Sequence, residues 1–443
     1  RVMRDINISI KDKIRALAEK SLSLKEYQVK EKDSFFTNSF SLMNDFKNKQ
    51  EIFYPLAQSS WDYIEHNAII DQLYTGNLTM GEKVENFEKR FAEHFGAKYA
   101  IMVNSGSSAN LLIVAALTLL SKYDFKNGDE IIVPALGWST SYAPFTQYGL
   151  KLKFVDVDYY TLNIDPEKIN NAISKKTKAV LAINILGNPI EFKKIKKICD
   201  KNKLLLIEDN CESLGAKYGK RFAGNFGVAS SHSFFFSHHI QTIEGGMITT
   251  NDRDICEYSR SLRSHGWNRD SLEKNSFSKS PTAKFKNSFN FVLPGYNLRP
   301  NELNGVLGLT QLKKLPHFLE GRKENARFFK KLFDNQPHCS IQKCDYDSSW
   351  YGFSILLEGA LKNKRDYVLN ELHNVGIETR PIVTGNFLKN SVCDFMNYEI
   401  SGILKNVESV DRRGFFVGNS HINLENQLLK LSETIQKIYK NIN

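Results

Sequence analysis

The stretch Leu204-Leu205-Leu206-Ile207-Glu208-Asp209 sets four consecutive apolar residues directly before two carboxylates. A run this short and this apolar predicts a strand inside a sheet that is covered on both faces, because a strand with one wet face would alternate. Working upstream, Ala179 to Ile185 and Leu152 to Val157 repeat the pattern, and Ile131-Ile132-Val133 follows the turn Asn127-Gly128-Asp129. Amphipathic helical stretches separate these runs. Strands alternating with helices predict an α/β domain with a mainly parallel central sheet, spanning residues 54–310. Ligands collect beyond the carboxyl ends of such strands, so Glu208 and Asp209 stand where chemistry is expected.

Working downstream, a long basic helix begins near 311, followed by strand-like Trp350 to Leu357, a helix from Lys364 to Asn374 and the apolar Phe415-Phe416-Val417. These predict a smaller α+β C-terminal domain over 311–443. Residues 1–53 are polar, with one helical stretch around Ile10 to Leu24, and read as an N-terminal arm. Asn268 to Asn287 reads as a polar linker, and no internal repeat occurs. A chain of 443 residues is too long for one ordinary core, which agrees with a large domain and smaller pieces packed on it.

Sixty Lys and Arg against 49 Asp and Glu leave a formal charge of +11. The excess is scattered: Lys193-Lys194-Ile195-Lys196-Lys197, at helical spacing, reads as a solvated face rather than a nucleic-acid stripe. It fits a preference for anionic small ligands and no nucleic-acid partner. Six cysteines without a CxxC pair give neither a disulfide framework nor a zinc site. No apolar run reaches the ~18 residues of a membrane span, and no signal peptide is evident, so the expected location is cytoplasmic with no membrane partner.

Three further motifs carry chemistry. Asn104-Ser105-Gly106-Ser107-Ser108-Ala109-Asn110 precedes the helical run Leu111 to Leu120, and small residues at a helix start leave N–H groups free for a phosphate. A plain capped helix start is the bland reading. Asp209, with Glu212 three residues on, can hold a protonated pyridine nitrogen, or merely cap the next helix. Ser233-Phe234-Phe235-Phe236-Ser237-His238-His239-Ile240 is closed by Glu244-Gly245-Gly246. His232, His238 and His239 have no metal-ligand spacing, so no metal is expected.

The order of these motifs resembles the DegT/DnrJ/EryC1/StrS sugar aminotransferase family of fold-type I pyridoxal-phosphate enzymes. Those enzymes carry Ser-Phe, three intervening residues and then a lysine, where this chain has His238. No lysine occurs from Arg221 to Glu273, so the replacement is not a slip of register. A lysine amine links covalently to the cofactor aldehyde, whereas an imidazole only moves protons. The histidine-containing subgroup of the family is the sugar-nucleotide 3-dehydratases, and the similarity runs from about Tyr54 to the C-terminus. Its most specific stretches are Ser237 to Ile240, Phe291 to Pro300 and Arg380 to Phe387, supported by Ser348-Ser349-Trp350 and Phe416-Val417-Gly418-Asn419.

The resemblance implies an aminotransferase-like fold and a dehydratase using pyridoxal 5'-phosphate and pyridoxamine 5'-phosphate. Its substrate would be a nucleotide-linked 4-keto-6-deoxy sugar, GDP-4-keto-6-deoxymannose or a heptose analogue, which loses its 3-hydroxyl. Glutamate would re-aminate the cofactor and ammonia would leave. His238 would be the catalytic acid–base. Gly106 and Ser107 would hold the phosphate by N–H groups and Ser233 by its hydroxyl. Trp138 would stack on the ring, Asp209 would pair with the ring nitrogen and Glu212 would lie near the ring hydroxyl. Asn297 would reach the phosphate of a neighbouring subunit, implying a homodimer with shared active sites. Arg299 and Arg380 would face the donor carboxylate or the substrate diphosphate. Taken singly, Trp138 could be core and Arg299 a surface ion pair.

A related group acting on CDP sugars shares the histidine, carries a basic helical arm like residues 1–53, and uses an iron–sulfur cluster. Its cysteines fall mostly after the Glu-Gly-Gly turn, where this chain has only Cys256, so no cluster is expected. The alternatives are a conventional sugar-nucleotide aminotransferase using another lysine, and a non-catalytic binding homologue.

Overall fold

The computed structural model describes residues 52–268, 285 and 289–442. The helical stretch expected at Ile10 to Leu24 and most of the polar linker expected at Asn268 to Asn287 lie outside them.

The strands in chain order are β1 (Tyr99–Val103), β2 (Glu130–Pro134), β3 (Lys151–Val155), β4 (Thr177–Ile183), β5 (Leu205–Asp209), β6 (Lys217–Tyr218), β7 (Arg221–Phe222), β8 (Ala229–Ser233), β9 (Gly246–Thr250), β10 (Cys339–Ile341), β11 (Gly352–Leu357), β12 (Tyr398–Ile400) and β13 (Gly414–Gly418). Among the described residues eight of them form one sheet in the order β1-β9-β8-β5-β4-β2-β3-β12. Only β9 runs against the rest, pairing antiparallel with β1 and β8. The other pairings are parallel. Every residue of β2, β8 and β9 is buried, as expected where helices cover both faces.

The helix Gly106–Leu119 is apolar nearly all round and is buried in the largest core cluster. Helix Phe192–Asn202 covers the other face: Phe192, Ile195 and Cys199 are buried, while Lys193, Lys194, Lys196 and Lys197 are exposed. The lysine run is therefore a solvated face, since period-3.6 spacing separates it from the apolar stripe.

Several strand ends differ from the sequence expectation, two of them at the carboxyl edge where the site lies. β5 includes both carboxylates instead of stopping before them. β4 ends at Ile183, and the chain then tightens into the 3₁₀ turn Ile185–Gly187, where Leu186 adopts φ 52° and its N–H donates to Glu212 at 2.9 Å.

A single helix, Glu302–Phe333, starts at the capping box of Asn301 and Asn304 and continues through position 311 without a break. It leads to a three-stranded sheet, β10-β11-β13, packed with helices Arg365–Asn374 and Glu425–Ile442 around Phe329, Phe353, Leu428 and Ile435. Tyr54 belongs to this core, its hydroxyl donating to the Gly418 carbonyl at 2.6 Å. β12 returns from this part of the chain to the edge of the large sheet beside β3. Among the described residues no helix is long and apolar enough to cross a membrane.

Candidate active site

Strand alternation separates the two carboxylates of β5. Glu208 is fully buried on one side, accepting N–H groups of Gly224 and Phe226 at 2.6 Å and of Gly227 at 2.5 Å. Burial raises its pKa, and the three N–H groups work against that rise. Asp209 points the other way, where Oδ2 accepts from Asn110 Nδ2 at 2.9 Å and Ser141 Oγ at 2.6 Å, and Oδ1 from the Cys211 N–H at 3.1 Å. One carboxylate pins a loop; the other is presented by three donors at the carboxyl edge of the sheet.

Around Asp209 lies a cavity of about 290 Å³, built where β1, β2, β4, β5 and β8 end. Ser105 caps the helix Gly106–Leu119 by accepting the Ser108 N–H at 3.1 Å, which leaves the first-turn N–H groups of Gly106 and Ser107 without intrahelical acceptors. Gly106 is packed so closely that a Cβ would stand 2.7 Å from Ser233 Cβ and 2.9 Å from Cys211 Sγ. The chain thus makes an uncluttered, partly positive cradle beside the Ser233 hydroxyl.

Trp138 starts the helix Ser139–Gln147 and is 56% exposed, so it is a cavity wall and not core. The preceding carbonyl of Gly137 accepts the Thr384 hydroxyl at 2.8 Å, tying this turn to the C-terminal part of the chain.

His238 sits in the turn after β8, its N–H donating to Phe235 at 2.9 Å. Its ring lies 5.3 Å from that of Tyr351, and Nδ1 is buried without a partner. Burial pulls its pKa down to about 4; the Arg322 charge adds to the fall, while Asp209 and a backbone hydrogen bond to Cys211 oppose it. The imidazole is therefore neutral at pH 7. Glu212, which accepts the Leu186 N–H, is pushed up to about 7 by burial and by the Asp209 charge.

His239 is buried with Nε2 3.0 Å from the Ser349 carbonyl, and His232 is buried in β8 with Nε2 3.0 Å from Thr249 Oγ1. Neither borders the cavity. Among the described residues no group of three or more His, Cys, Asp and Glu is placed to hold a metal ion.

The structure thus brings Gly106, Ser107, Trp138, Asp209, Glu212, Ser233, His238 and Arg380 to one cavity. Arg380 comes from the C-terminal part, its backbone bridged to Phe416. Asn297 and Arg299 do not border it: Arg299 Nε donates to Asn297 Oδ1 at 3.1 Å, and its guanidinium lies 5.8 Å from the Trp267 ring centre. Sequence reasoning missed Asn110, Ser141 and Tyr351 as wall residues. Asn110 ended a quoted motif and Tyr351 followed Ser348-Ser349-Trp350, but only tertiary contacts turn them inward.

The sequence profile described as the DegT/DnrJ/EryC1/StrS aminotransferase family matches residues 61–420. GDP-4-keto-6-deoxy-D-mannose 3-dehydratase of Yersinia pseudotuberculosis is 48% identical over 386 residues, which are 87% of this chain and 98% of that protein. Among solved structures, the E. coli GDP-4-keto-6-deoxy-D-mannose-3-dehydratase with bound hydrated PLP has a TM-score of 0.84 at 47% identity, covering 87% of this chain and 100% of the other. A GDP-4-keto-6-deoxymannose-3-dehydratase with a trapped PLP-glutamate geminal diamine has a TM-score of 0.83 at 46% identity, covering 86% and 100%.

Proposed function

The chain belongs to the DegT/DnrJ/EryC1/StrS aminotransferase family, and from that membership and the cavity we propose a pyridoxamine-phosphate-dependent 3-dehydratase of GDP-4-keto-6-deoxymannose, with glutamate as amino donor. One observation carries the reading: among the described residues no lysine lines the cavity, and the family's lysine position is filled by the neutral imidazole of His238. An aminotransferase of this fold needs an amine at that place.

The residues fit the cofactor. The bare backbone of Gly106 and Ser107 and the Ser233 hydroxyl suit a phosphate, Trp138 offers a ring face, Asp209 an anion for the ring nitrogen, and Glu212 a carboxyl for the ring hydroxyl. When bound, the cofactor supplies an electron sink for breaking a bond in the attached sugar. Asp209 is held in position by three donors. His238 accepts a proton on an imidazole nitrogen and gives one back, a task suited to a group that begins neutral. Arg380, exposed at the rim, suits the oxyanions of glutamate or of the diphosphate.

We further assign a homodimer with Asn297 at the subunit boundary. Phe235, Phe236 and Ile243, on the loop that carries His238, are 47%, 44% and 51% exposed, and an apolar rim of that kind supports a covering partner.

The test mixes the protein with pyridoxal phosphate, glutamate and GDP-4-keto-6-deoxymannose. The expected products are a nucleotide sugar lighter by one oxygen and free ammonia, read by mass spectrometry and an ammonia assay. Accumulation of an amino sugar instead would overturn the proposal. Gly106→Ala places a methyl group against Ser233, an overpacking of about 1–3 kcal/mol, so pyridoxamine phosphate should bind about tenfold or more weakly in an absorbance titration.

A further inference from the structure

Arg322 stands within the helix Glu302–Phe333 and is 5% exposed. Its Nη1 lies 2.9 Å from the carbonyl of Asn419, 3.1 Å from that of Tyr351 and 3.3 Å from that of Trp350, and Nε has no partner. Among the described residues no carboxylate pairs with it. Burial pulls the guanidinium down to about 10, which still leaves it charged at neutral pH. A buried cation satisfied only by backbone carbonyls is a costly arrangement for packing alone.

The segment it grips leads straight to the cavity. Trp350 takes φ 48°, a left-handed conformation that a bulky residue holds only when its surroundings enforce it. Asn419 Nδ2 also donates to the Trp350 carbonyl at 2.9 Å, and Tyr351 N–H donates to Leu186, whose own N–H holds Glu212. From this turn Tyr351 places its hydroxyl 2.9 Å from Ser237 Oγ and its ring against His238, while the Ser349 carbonyl meets His239.

We propose that Arg322 is a positioning residue for His238: from the long helix it clamps the Trp350–Tyr351 turn, and with it the Tyr351 ring, against the imidazole. The inference rests on the acid–base role given to His238 above. The groups sharing the cavity with the imidazole are Asp209 at the end of β5, Cys211 and Glu212 beyond it and Tyr351 before β11, while His239 beside it and the charge of Arg322 from the long helix act from outside the cavity wall. Asp209 favours a proton on the ring and Arg322 disfavours it. Removing the cation leaves burial alone against Asp209, and the pKa of His238 rises.

The experiment titrates the full chain, labelled with ¹³C-histidine, by NMR from pH 3 to 8; the His238 signal is assigned by its absence in His238→Asn. In the unaltered protein the His238 midpoint should lie below pH 5. Arg322→Gln, which keeps a donor but no charge, should raise it by about one pH unit. The acid limb of kcat/KM for dehydration should move by the same amount, about a tenfold loss on that limb. Arg322→Lys, which keeps the charge and loses the fork, should leave the midpoint in place while kcat falls. A Gln variant that titrates with the unaltered protein, or a Lys variant that titrates upward, overturns the proposal; if the Gln variant does not fold, the Lys comparison decides. Absence of dehydration in the unaltered protein would instead remove the functional reading, and the NMR midpoints would still judge the placement of Arg322.

Discussion

Replacing His238 with asparagine should lower dehydration by about 10²–10⁴-fold, the range for losing a positioned acid–base group. The substitution keeps the polar side chain short and leaves the turn intact, because the backbone N–H of this position, not the ring, bonds Phe235. Asp209, Gly106 and Ser233 are untouched, so cofactor affinity should change little. The measurement is kcat with saturating pyridoxamine phosphate beside an absorbance titration of binding. Retention of more than a tenth of the turnover would mean that another group moves the proton. The same variant carries a stability signature. His238 has a folded pKa of about 4 against an ordinary value of 6.5, so the unfolded chain takes up a proton first as pH falls. That contribution is present above pH 6.5 and is lost on descending toward pH 4. Tm of His238→Asn should therefore decline less steeply over this window than Tm of the unaltered protein.

Asp209→Asn should cost about 10²–10³-fold in kcat, the scale of removing one preorganised electrostatic group. The carboxylate is fixed by Asn110, Ser141 and the Cys211 N–H, all donors. An amide in its place would turn an N–H₂ group toward at least one of them and could not balance a protonated ring nitrogen. The loss should appear in kcat at saturating cofactor and as a weaker binding isotherm. Full activity in this variant would show that the ring nitrogen needs no anion and would remove Asp209 from the site. Activity reduced only in proportion to folded protein would assign Asp209 to structure.

The two carboxylates of β5 show where sequence reasoning stops. Glu208-Asp209 at the end of an apolar run announced a site, but which of the two serves it follows from strand alternation and from the packing of residues 224–227 against one face. Trp138 was ambiguous between core and wall, because a tryptophan after a strand is common to both; its exposure settles the matter. Asn297 and Arg299 matched family positions, yet in a single chain they bond each other away from the cavity. Tyr351 and Arg322 left no local signal. Tyr351 reaches His238 from the C-terminal half of the chain and Arg322 grips the turn that carries Tyr351, an approach that depends on the folded chain.

What the sequence determined by itself was what local chemistry fixes: alternating apolar runs and amphipathic helices for the sheet, small residues at a helix start, and a histidine where the family has lysine. These depend on spacing along the chain, which needs no folding to be read. The tertiary structure alone decided which polar groups converge, because β1, β2, β4, β5 and β8 bring separate loops to one edge and the long helix brings Arg322 to the Trp350–Tyr351 turn. The protonation of His238 belongs to that second kind: it is set by desolvation and by opposing charges from distant segments, quantities that exist only once the chain is folded.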